Sequence, residues 1–474
     1  MSIRTQNQAA ENRIQLEDFE GKKLFFCGIG GSSMSGLAQI CQAQGYQVSG
    51  SDRSASPFTQ ALARDGIAFQ VGQRPENVHG ADLFIYSAAI PPTHVERAEA
   101  TRLGIPQMER SVLLGKISAR YDEVVAIAGG HGKTTTSSML ALICMEAGLD
   151  PTVHIGGMVP FLGGGVRVGH SQLFITEACE YVESFMTLHP SVVSINNIDD
   201  DHLDYFRDID HITQTFSRFV DLLPAGGPLF GCADDARVRT LMEEKKRPGA
   251  SFGLRAGDYR AENLRPTPAG GQIFSLTLHA KPLYDVTLTM PGQHNVLDAL
   301  CAIAIARHLG AADEHIVSAL ASYTLTGRRF EYMGQSQGAA IYHDYAHHPT
   351  EITACLQGAR SLCQGKLYTV LQCNSYTRAK TLFTGDVRCF GDADEVLVPD
   401  IYPGREVDTG LVHARDMVSA IQAGGAQAQY LPTFEEIDQY LCQVLGEKDM
   451  VVTLGSGDVY QQTQKLLHNA PHVR

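Results

Sequence analysis

Short apolar runs recur along the chain, each followed by glycines or polar residues and then by a longer stretch with helical spacing. Buried strands of a parallel sheet have this pattern, because helices cover both faces of such a sheet. The alternation of predicted strands and helices indicates an α/β fold. The predicted strands form three groups along the chain, which are 23–27, 46–49 and 83–87; 124–128, 173–176 and 192–196; and 366–371, 395–398 and 450–454.

The middle group also contains a different pattern. Between about 258 and 290, polar and apolar residues alternate and are interrupted by Pro and Gly, which predicts antiparallel strands added to the sheet. A helix is predicted over 296–309. The sequence therefore predicts three consecutive α/β domains, the second with a mixed sheet, with bounds at 1–120, 121–327 and 328–474.

The apolar run 124–128 ends in the most informative motif of the chain. Gly129, Gly130, His131 and Gly132 follow it, and Lys133, Thr134 and Thr135 lead into a predicted helix over 137–148. A strand, a glycine loop and a helix in this order can hold phosphates on backbone N–H groups, with a lysine on the terminal phosphates and a threonine on Mg²⁺. Ile127 stands where the general pattern has a glycine, and a glycine turn without a ligand is the alternative. We expect a protein that uses ATP or GTP.

A second glycine turn follows the first predicted strand. Gly28 and Gly30 begin it, and Asp52 follows the next strand, as in dinucleotide sites. Ser33 stands where the third glycine of that fingerprint belongs. The alternative is a tight turn between a strand and a helix without a ligand.

Polar residues follow the two strands after the lysine loop. Glu177 comes after one strand and His202 lies near the end of the next. Ligands of open α/β sheets bind beyond the carboxyl ends of strands, so these two side chains could converge on a metal beside the phosphates. A carboxylate suits Mg²⁺, whereas imidazole is a less usual ligand for so hard an ion. A solvated acidic loop is the alternative.

Three further segments carry candidate binding residues. Asn295 precedes a helix and could cap it or present its amide to a purine. Arg329 lies at a predicted domain joint and could reach a phosphate or form a surface ion pair. His347 and His348 lack further ligands at zinc spacing, so substrate contact or proton handling is the better interpretation.

Composition narrows the class of protein. The 474 residues carry a formal net charge of −14, without a block of Lys or Arg, which argues against a nucleic-acid surface. No run of 18 apolar residues predicts a membrane span, and the first residues contain no apolar signal core. The 11 cysteines are scattered, many in apolar stretches (Cys27, Cys144, Cys301, Cys442), which favours buried, reduced thiols and a cytoplasmic protein.

Together the motifs resemble the Mur ligase family, which joins amino acids to the peptidoglycan precursor. The resemblance covers nearly the whole chain and rests on the order and spacing of many motifs. These are Gly28–Gly31 with 34–36, 87–90, 132–136, Glu177 with Ala178, 197–204, His294 with Asn295, 327–330, 344–351 and 376–378.

The resemblance implies a Rossmann-like N-terminal domain that holds a UDP-sugar, a P-loop central domain for ATP and a Rossmann-like C-terminal domain for the amino acid. The implied UDP-sugar residues are Gly28, Gly30, Gly31, Ser32, Asp52 and Ser87, and the implied ATP residues are 129–135 with Asn295, Arg329 and Asp344. Mg²⁺ would be bound by Thr134, Glu177 and His202, and catalysis would depend on Lys133, Glu177, His202 and Arg329. The amino acid would be bound by His347, His348 and Arg378.

The implied reaction joins the lactyl carboxylate of UDP-N-acetylmuramate to L-alanine. The carboxylate would attack the γ-phosphorus of ATP, and the amine of alanine would attack the resulting acyl phosphate. ATP and Mg²⁺ are the implied cofactors. The implied partners are small molecules rather than nucleic acid or membrane, and the expected state is a monomer or weak homodimer.

Several positions depart from the family pattern. Gly130 replaces a usual Thr, Asp298 a usual Asn, and His343 and Ala346 a usual Asp and Gly. The largest departure is 372–375, which reads Gln-Cys-Asn-Ser where the family commonly has Gln-Pro-His-Arg. Because this loop helps to receive the amino acid, glycine or serine are alternative acceptors.

Three other functions stay open at this point. A recycling ligase that adds a tripeptide to the same UDP-sugar would share every nucleotide motif. An NAD-dependent oxidoreductase would use the first glycine turn and Asp52, but leaves Lys133, Glu177 and His202 without a role. A nucleotide-regulated binding protein would release no phosphate.

Overall fold

The computed structural model describes residues 11, 13–203, 205–267, 270–324, 327–383, 387–404 and 406–468. Three sheets follow one another along the chain, with five, ten and six strands. This arrangement confirms the predicted three-part α/β fold. Asp204, part of one quoted motif, lies outside the described residues.

The first sheet is wholly parallel, in the order β3-β2-β1-β4-β5. The apolar segment Lys23–Cys27 forms its central strand, so helices cover both faces, as in a Rossmann-like fold. Its strands are β1 Lys23–Cys27, β2 Gln47–Asp52, β3 Ala68–Val71, β4 Leu83–Tyr86 and β5 Gln107–Glu109. Its helices are α1 Ser32–Ala43, α2 Pro57–Arg64, α3 Val95–Arg102 and α4 Arg110–Ser118.

The second sheet is mixed, in the order β15-β14-β13-β12-β11-β10-β6-β9-β7-β8. The predicted antiparallel segment forms three strands at one edge, of which the first pairs in parallel with β12. The strands are β6 Glu123–Ala128, β7 Thr152–Val159, β8 Gly164–Arg167, β9 Leu173–Ala178, β10 Val192–Ile195, β11 Leu229–Cys232, β12 Gly249–Gly253, β13 Tyr259–Pro266, β14 Gln272–Leu278 and β15 Lys281–Leu288. The helices are α5 Lys133–Glu146, α6 Ile209–Val220, α7 Ala236–Lys245, α8 Gln293–His308 and α9 Asp313–Ser322.

The third sheet has the order β16-β17-β21-β18-β19-β20. Only the β16–β17 pair is antiparallel among the described pairings of this sheet. The strands are β16 Glu331–Ser336, β17 Ala339–Asp344, β18 Leu367–Leu371, β19 Glu395–Val398, β20 Ala428–Tyr430 and β21 Met450–Leu454. The helices are α10 Pro349–Leu362, α11 Tyr376–Phe383, α12 Ala414–Ala423, α13 Phe434–Val444 and α14 Val459–His468.

Two helices begin earlier than their patterns predicted. Helix α5 begins at Lys133 rather than at 137, and α8 at Gln293 rather than at 296. In α5 the first turn is rich in threonine, which has a low helix propensity, but Thr135 and Thr136 are buried. Tertiary packing therefore decides where α5 starts.

The first two sheets share one apolar core. Leu24 and Phe26 of β1 belong to the same buried cluster as Val124, Phe174 and Val193 of the central sheet. Among the described residues, no helix has the length and apolarity needed to cross a bilayer. Cys27, Cys144 and Cys301 are buried as expected, but Cys442 is exposed, because α13 buries a narrow face that includes Ile437 and Leu441.

Candidate active site

The lysine loop has the predicted strand–loop–helix geometry. Strand β6 ends at Ala128, and Gly132 (φ 81°) caps the start of α5 without a side-chain hydrogen bond. A Cβ on Gly132 would lie 2.2 Å from Asp298 Oδ1, so only glycine fits here without a shift. The N–H groups of the first helical turn are therefore free of a side-chain cap, which suits an anion.

Lys133 is held at the end of this loop by a buried acid. Its Nζ donates to Glu180 Oε1 and Oε2 at 3.1 and 3.0 Å, to Gly130 O at 3.0 Å and to Gly129 O. Burial alone would lower the pKa of Lys133, but the Glu180 carboxylate raises it. The ammonium group of Lys133 is therefore charged, and Glu180 and the loop carbonyls hold it in place. No role was predicted for Glu180 from the sequence, although it follows the strand that contains Glu177.

Glu177 lies in β9 and faces a cavity of about 200 Å³. Among the described residues, its Oε1 is one of few buried side-chain oxygens without a hydrogen-bond partner. Strand β7 passes close by: a Cβ on Gly156 would lie 3.0 Å from Glu177 Oε2, and one on Gly157 would lie 2.9 Å from Thr134 Cγ2. The fold thus brings Glu177 and Thr134 to the same glycine pair, and a buried carboxylate oxygen without a donor fits a cation.

His202 lies beside two acids, Glu180 and Asp201. Its Nε2 lies 3.7 Å from Glu180 Oε1 and 3.7 Å from Asp201 Oδ2, and its ring packs on Tyr181. It has a φ of 59°, a left-handed conformation that is uncommon outside glycine. His202 is therefore near the Lys133–Glu180 pair, and Glu180 rather than Glu177 is its acidic neighbour.

The cavity of about 200 Å³ that Glu177 faces also contains side chains that the sequence analysis did not identify. Arg110, at the start of α4, donates to Ser33 Oγ at 3.0 Å, and Ser33 Oγ lies 3.0 Å from His154 Nε2. Burial and the Arg110 charge lower the pKa of His154 to about 4, so this imidazole is neutral. The guanidinium and the hydroxyl suit an anionic group of a ligand, whereas the Glu177 carboxylate suits a cation beside that group. No local pattern marks Arg110 or His154, because their approach depends on how the first two domains pack.

A larger cavity of about 380 Å³ lies on the other side of the loop, between the second and third domains. His131, Gly132 and Thr135 line it from the loop and the start of α5, while Asn295 of α8, Arg329 before β16 and Asp344 at the end of β17 line it from three other segments. The predicted ATP residues from distant motifs therefore meet. Further lining residues without a sequence signal include Cys232, Asp234, Phe252 and Leu297.

Asn295 does not cap its helix. The cap of α8 is Gly292, and Asn295 is the third residue of that helix, with Nδ2 donating to Pro291 O at 2.6 Å. The capping interpretation was wrong because the helix starts earlier than its apolar pattern. The side chain is buried at the cavity wall.

A chain of charges crosses this cavity from the central to the C-terminal domain. His131 Nε2 lies 3.1 Å from Asp199 Oδ2, and its Nδ1 lies 3.2 Å from Glu351 Oε1. Arg329 lies 3.6 Å from the same Glu351 oxygen. Burial alone would lower the pKa of His131, but Glu351 and Asp199 raise it to about 10. Two cationic side chains, His131 and Arg329, therefore lie where the loop meets the third domain.

Asp344 is fixed by backbone groups. Its Oδ2 accepts from Phe330 N and its Oδ1 from Ala346 N, both at 2.7 Å. Burial raises the pKa of Asp344 to about 6. The carboxyl group holds the segment that carries Arg329 in the cavity wall.

The two adjacent histidines face different neighbours. His347 Nε2 lies 4.0 Å from Asp201 Oδ2, and Arg378 donates to Asp201 Oδ1 at 3.2 Å. His348 instead packs its ring on His131, 4.9 Å between centroids. Burial lowers the pKa of both His347 and His348, so both are neutral.

The predicted UDP-sugar residues lie at the carboxyl ends of three adjacent parallel strands. Gly28 follows β1, Asp52 ends β2 and Ser87 follows β4. Asp52 Oδ2 accepts from Gly30 N at 2.8 Å, so this acid holds the glycine turn itself. Gly31 is the N-cap of α1, which begins at Ser32 and has no side-chain cap.

Three family models match consecutive segments of the chain. Residues 23–122 match the Mur ligase family, catalytic domain; 127–306 the Mur ligase middle domain; and 328–457 the Mur ligase, glutamate ligase domain. The chain belongs to the Mur ligase family. The resemblance drawn from the motifs is confirmed.

This Mur ligase is similar to named ligases over nearly its full length. The UDP-N-acetylmuramate–L-alanine ligase of Acetivibrio thermocellus is 42% identical over 454 residues, 95% of this chain and 97% of that protein. The crystal structure of UDP-N-acetylmuramate-alanine ligase from Thermotoga maritima matches with a TM-score of 0.79 and 25% identity, covering 94% and 98% of the two chains. A murein peptide ligase from Psychrobacter arcticus shares the fold, with a TM-score of 0.70 and 24% identity over 96% of this chain and all of the other.

Proposed function

We propose that this Mur ligase uses ATP to join the lactyl carboxylate of UDP-N-acetylmuramate to L-alanine through an acyl phosphate. The observation that carries the proposal is that the Lys133 loop lines the larger cavity, while Lys133 itself pairs with Glu180, three residues after the Glu177 that lines the smaller cavity. One cavity has the size and lining for a nucleotide, and the other holds Arg110 and the partnerless oxygen of Glu177. We take the domain bounds predicted above as those of the three binding units.

The larger cavity would hold ATP with its phosphates at the start of α5. Backbone N–H groups of that helix would receive the phosphates, since no side chain caps them. Asn295 and the apolar walls formed by Phe252 and Leu297 would face the base. Arg329 would reach the γ-phosphate from the opposite domain.

The smaller cavity would hold the sugar acid. The uncapped start of α1 at Gly31 and Ser32 would receive the UDP pyrophosphate. The lactyl carboxylate would then lie near Arg110 and Ser33, with Lys133 between it and the γ-phosphate.

Thr134, Glu177 and His202 would hold Mg²⁺ in this arrangement. The partnerless oxygen of Glu177 and the Thr134 hydroxyl fit a hard cation, whereas His202 would have to move from Glu180 to join them. Bound Mg²⁺ would supply charge neutralisation between the carboxylate and the phosphates. Glu180 would release Lys133 to the phosphates as they enter.

Charge explains why these groups are needed. The attacking carboxylate and the γ-phosphate are both anions, so Lys133 and Arg329 would offset their repulsion and the charge of the transition state. Domain closure would align the reactants, which can contribute roughly 7–11 kcal/mol, and would keep water from the acyl phosphate.

The acceptor would bind near Arg378, His347 and Asp201. Arg378 would take the carboxylate of alanine in exchange for Asp201. His347 is neutral and half-buried, so it can accept the proton of the attacking amine. Asn374 donates to Ser456 Oγ at 2.8 Å and occupies the loop that departs from the family pattern.

A phosphate-release assay tests the proposal. We expect release only when ATP, UDP-N-acetylmuramate and L-alanine are all present, with glycine and L-serine as weaker acceptors. A preference for the tripeptide would identify the recycling ligase, and a change in nicotinamide absorbance would identify the oxidoreductase. Absence of release with every substrate would contradict the proposal.

A further inference from the structure

Three metal-ligating side chains meet beside the end of β1, and none of them has a role in the proposed ligase reaction. They are Cys27, the last residue of β1, His94, the N-cap of α3, and Glu96 in the first turn of that helix. Their ligand atoms all lie within 4.8 Å of one another. A thiolate, an imidazole and a carboxylate are ligands that zinc accepts together.

The spacing of two of these atoms fits one ion. Cys27 Sγ lies 3.8 Å from His94 Nδ1. Zinc lies about 2.3 Å from a thiolate sulfur and about 2.1 Å from an imidazole nitrogen, so this separation gives an angle of about 120° at the metal. That angle is close to tetrahedral, with Glu96 as third ligand and water as fourth.

The surroundings already orient each ligand. His94 Nε2 lies 3.0 Å from Gln73 Oε1, an acceptor, so Nε2 carries the hydrogen and Nδ1 turns its lone pair toward Cys27. Glu96 accepts from Ser51 Oγ and from Asn77 Nδ2, both at 2.7 Å. Metal-bound histidines and carboxylates characteristically have such outer partners, which fix their orientation.

Burial excludes a reactive thiol here and shields the three side chains from bulk water. Cys27 and Glu96 are both buried, and His94 is half-buried. Burial and the neighbouring Glu96 raise the pKa of the Cys27 thiol far above its usual range, so it is not a nucleophile. A divalent cation reverses this effect, because a coordinated thiol loses its proton.

A second group of possible ligands, His131, Asp199 and His348, lies in the nucleotide cavity. It is less suited to a metal because both ring nitrogens of His131 face acids, which hold it as an imidazolium without a lone pair.

We propose that Cys27, His94 and Glu96 form a zinc-binding site in the N-terminal domain. The site is joined to the first glycine turn: Gly28 N and Ile29 N both donate to Ser51 O, and Ser51 Oγ donates to Glu96. Zinc bound there braces the turn through Glu96 and Ser51.

Cobalt binding to the full-length protein tests the proposal. Chelator-treated protein is titrated with Co²⁺ and then Zn²⁺, in a Cys442→Ser background because Cys442 is exposed. We expect one equivalent of Co²⁺ with tetrahedral visible bands and a thiolate-to-metal absorption in the ultraviolet, all abolished by zinc. Absence of a thiolate absorption from this parent protein would overturn the proposal.

Matched variants locate the ion. Cys27→Ser should remove the thiolate absorption, His94→Gln should weaken affinity further than tenfold, and Gln73→Ala should weaken it about 10-fold through the outer partner. The controls Cys41→Ser, a buried cysteine of the same domain, and His79→Gln should bind like the parent. Circular dichroism and melting temperature verify folding of each variant. Retention of the absorption in folded Cys27→Ser, or unchanged affinity in His94→Gln, would overturn the site.

Discussion

The two glycine turns of this chain have the same strand–turn–helix arrangement but differ in the charge of their side chains. Gly28 (φ 78°) and Gly132 (φ 81°) each follow a parallel strand, and each turn leads into a helix without a side-chain cap. At the second turn, Lys133 and His131 are cationic. At the first, the charged partner of the turn is Asp52, which accepts from Gly30 N.

The difference indicates what each turn can do. An uncapped helix start binds an anion through its backbone, and that is sufficient for a diphosphate that stays unchanged. A phosphate that is transferred also develops charge in the transition state, which side-chain cations must stabilise. The same local fold therefore serves binding in one domain and chemistry in the next.

Replacing Lys133 by alanine should have the largest effect. We expect kcat to fall by at least about 10³-fold, since this ammonium stabilises transferred charge. Phosphate release is the measurement, with Lys281→Ala on an exposed strand as the control. Because Glu180 would lose its buried partner, Lys133→Ala/Glu180→Gln should also be inactive while restoring stability. Near-normal turnover in either variant would remove the chemical role of the second turn.

The acid beside the second turn should make stability depend on pH. Burial raises the pKa of Asp298 to about 7, so the folded protein holds a proton that the unfolded chain releases above about pH 4. The free energy of unfolding therefore falls as pH rises from about 4 to 7. Asp298→Asn should be more stable than the parent by about 1–4 kcal/mol at pH 8, with the difference vanishing near pH 4. Urea unfolding of both proteins between pH 4 and pH 8 measures this difference. If it were the same at every pH, the pKa of Asp298 would not be raised.

A pair of alanine substitutions compares the space around the turns. In Gly28→Ala the new Cβ has no atom within 4 Å, so only the positive φ lowers the free energy of unfolding, by about 1–2 kcal/mol. Gly132→Ala adds a clash with Asp298 Oδ1, for about a further 1–3 kcal/mol. Urea unfolding of both variants provides the comparison. Equal losses would mean that Asp298 can move aside.

The smallest effect is expected from Asp52→Ala at the first turn. Loss of the acceptor for Gly30 N should loosen the turn and raise KM for the UDP-sugar about 10-fold, with kcat nearly unchanged. Steady-state kinetics with saturating ATP and L-alanine separate the two constants. A fall in kcat as large as that of Lys133→Ala would show that the turns do not divide binding from chemistry.

Strand positions were predictable because apolar runs mark buried strands wherever they lie. The strands Lys23–Cys27, Glu395–Val398 and Met450–Leu454 were predicted with the observed bounds. Helix starts were less predictable, since burial of Thr135 and Thr136 outweighs the low propensity of threonine. The capping interpretation of Asn295 was wrong because α8 also begins before its apolar pattern.

The candidate site was predictable where one motif carries it. Lys133 and its glycines sit in a single strand–loop–helix segment. Asn295 and Arg329 were singled out from their own segments and Asp344 through the resemblance, and all three line one cavity. Glu180 was overlooked although it follows the same strand as Glu177. Arg110 has no local signal, because its contact with Ser33 in the smaller cavity comes from packing of distant segments.

The amino-acid sequence by itself determined the order of the three domains, the two glycine turns and the family, since these depend on local pattern and on the spacing of motifs. Tertiary structure alone decided that Lys133 is paired with Glu180, that adjacent His347 and His348 face different partners, and that Cys27 meets His94. The physical reason is that these contacts join segments that are far apart along the chain or point adjacent side chains in different directions. Their geometry is fixed only when helices and sheets pack.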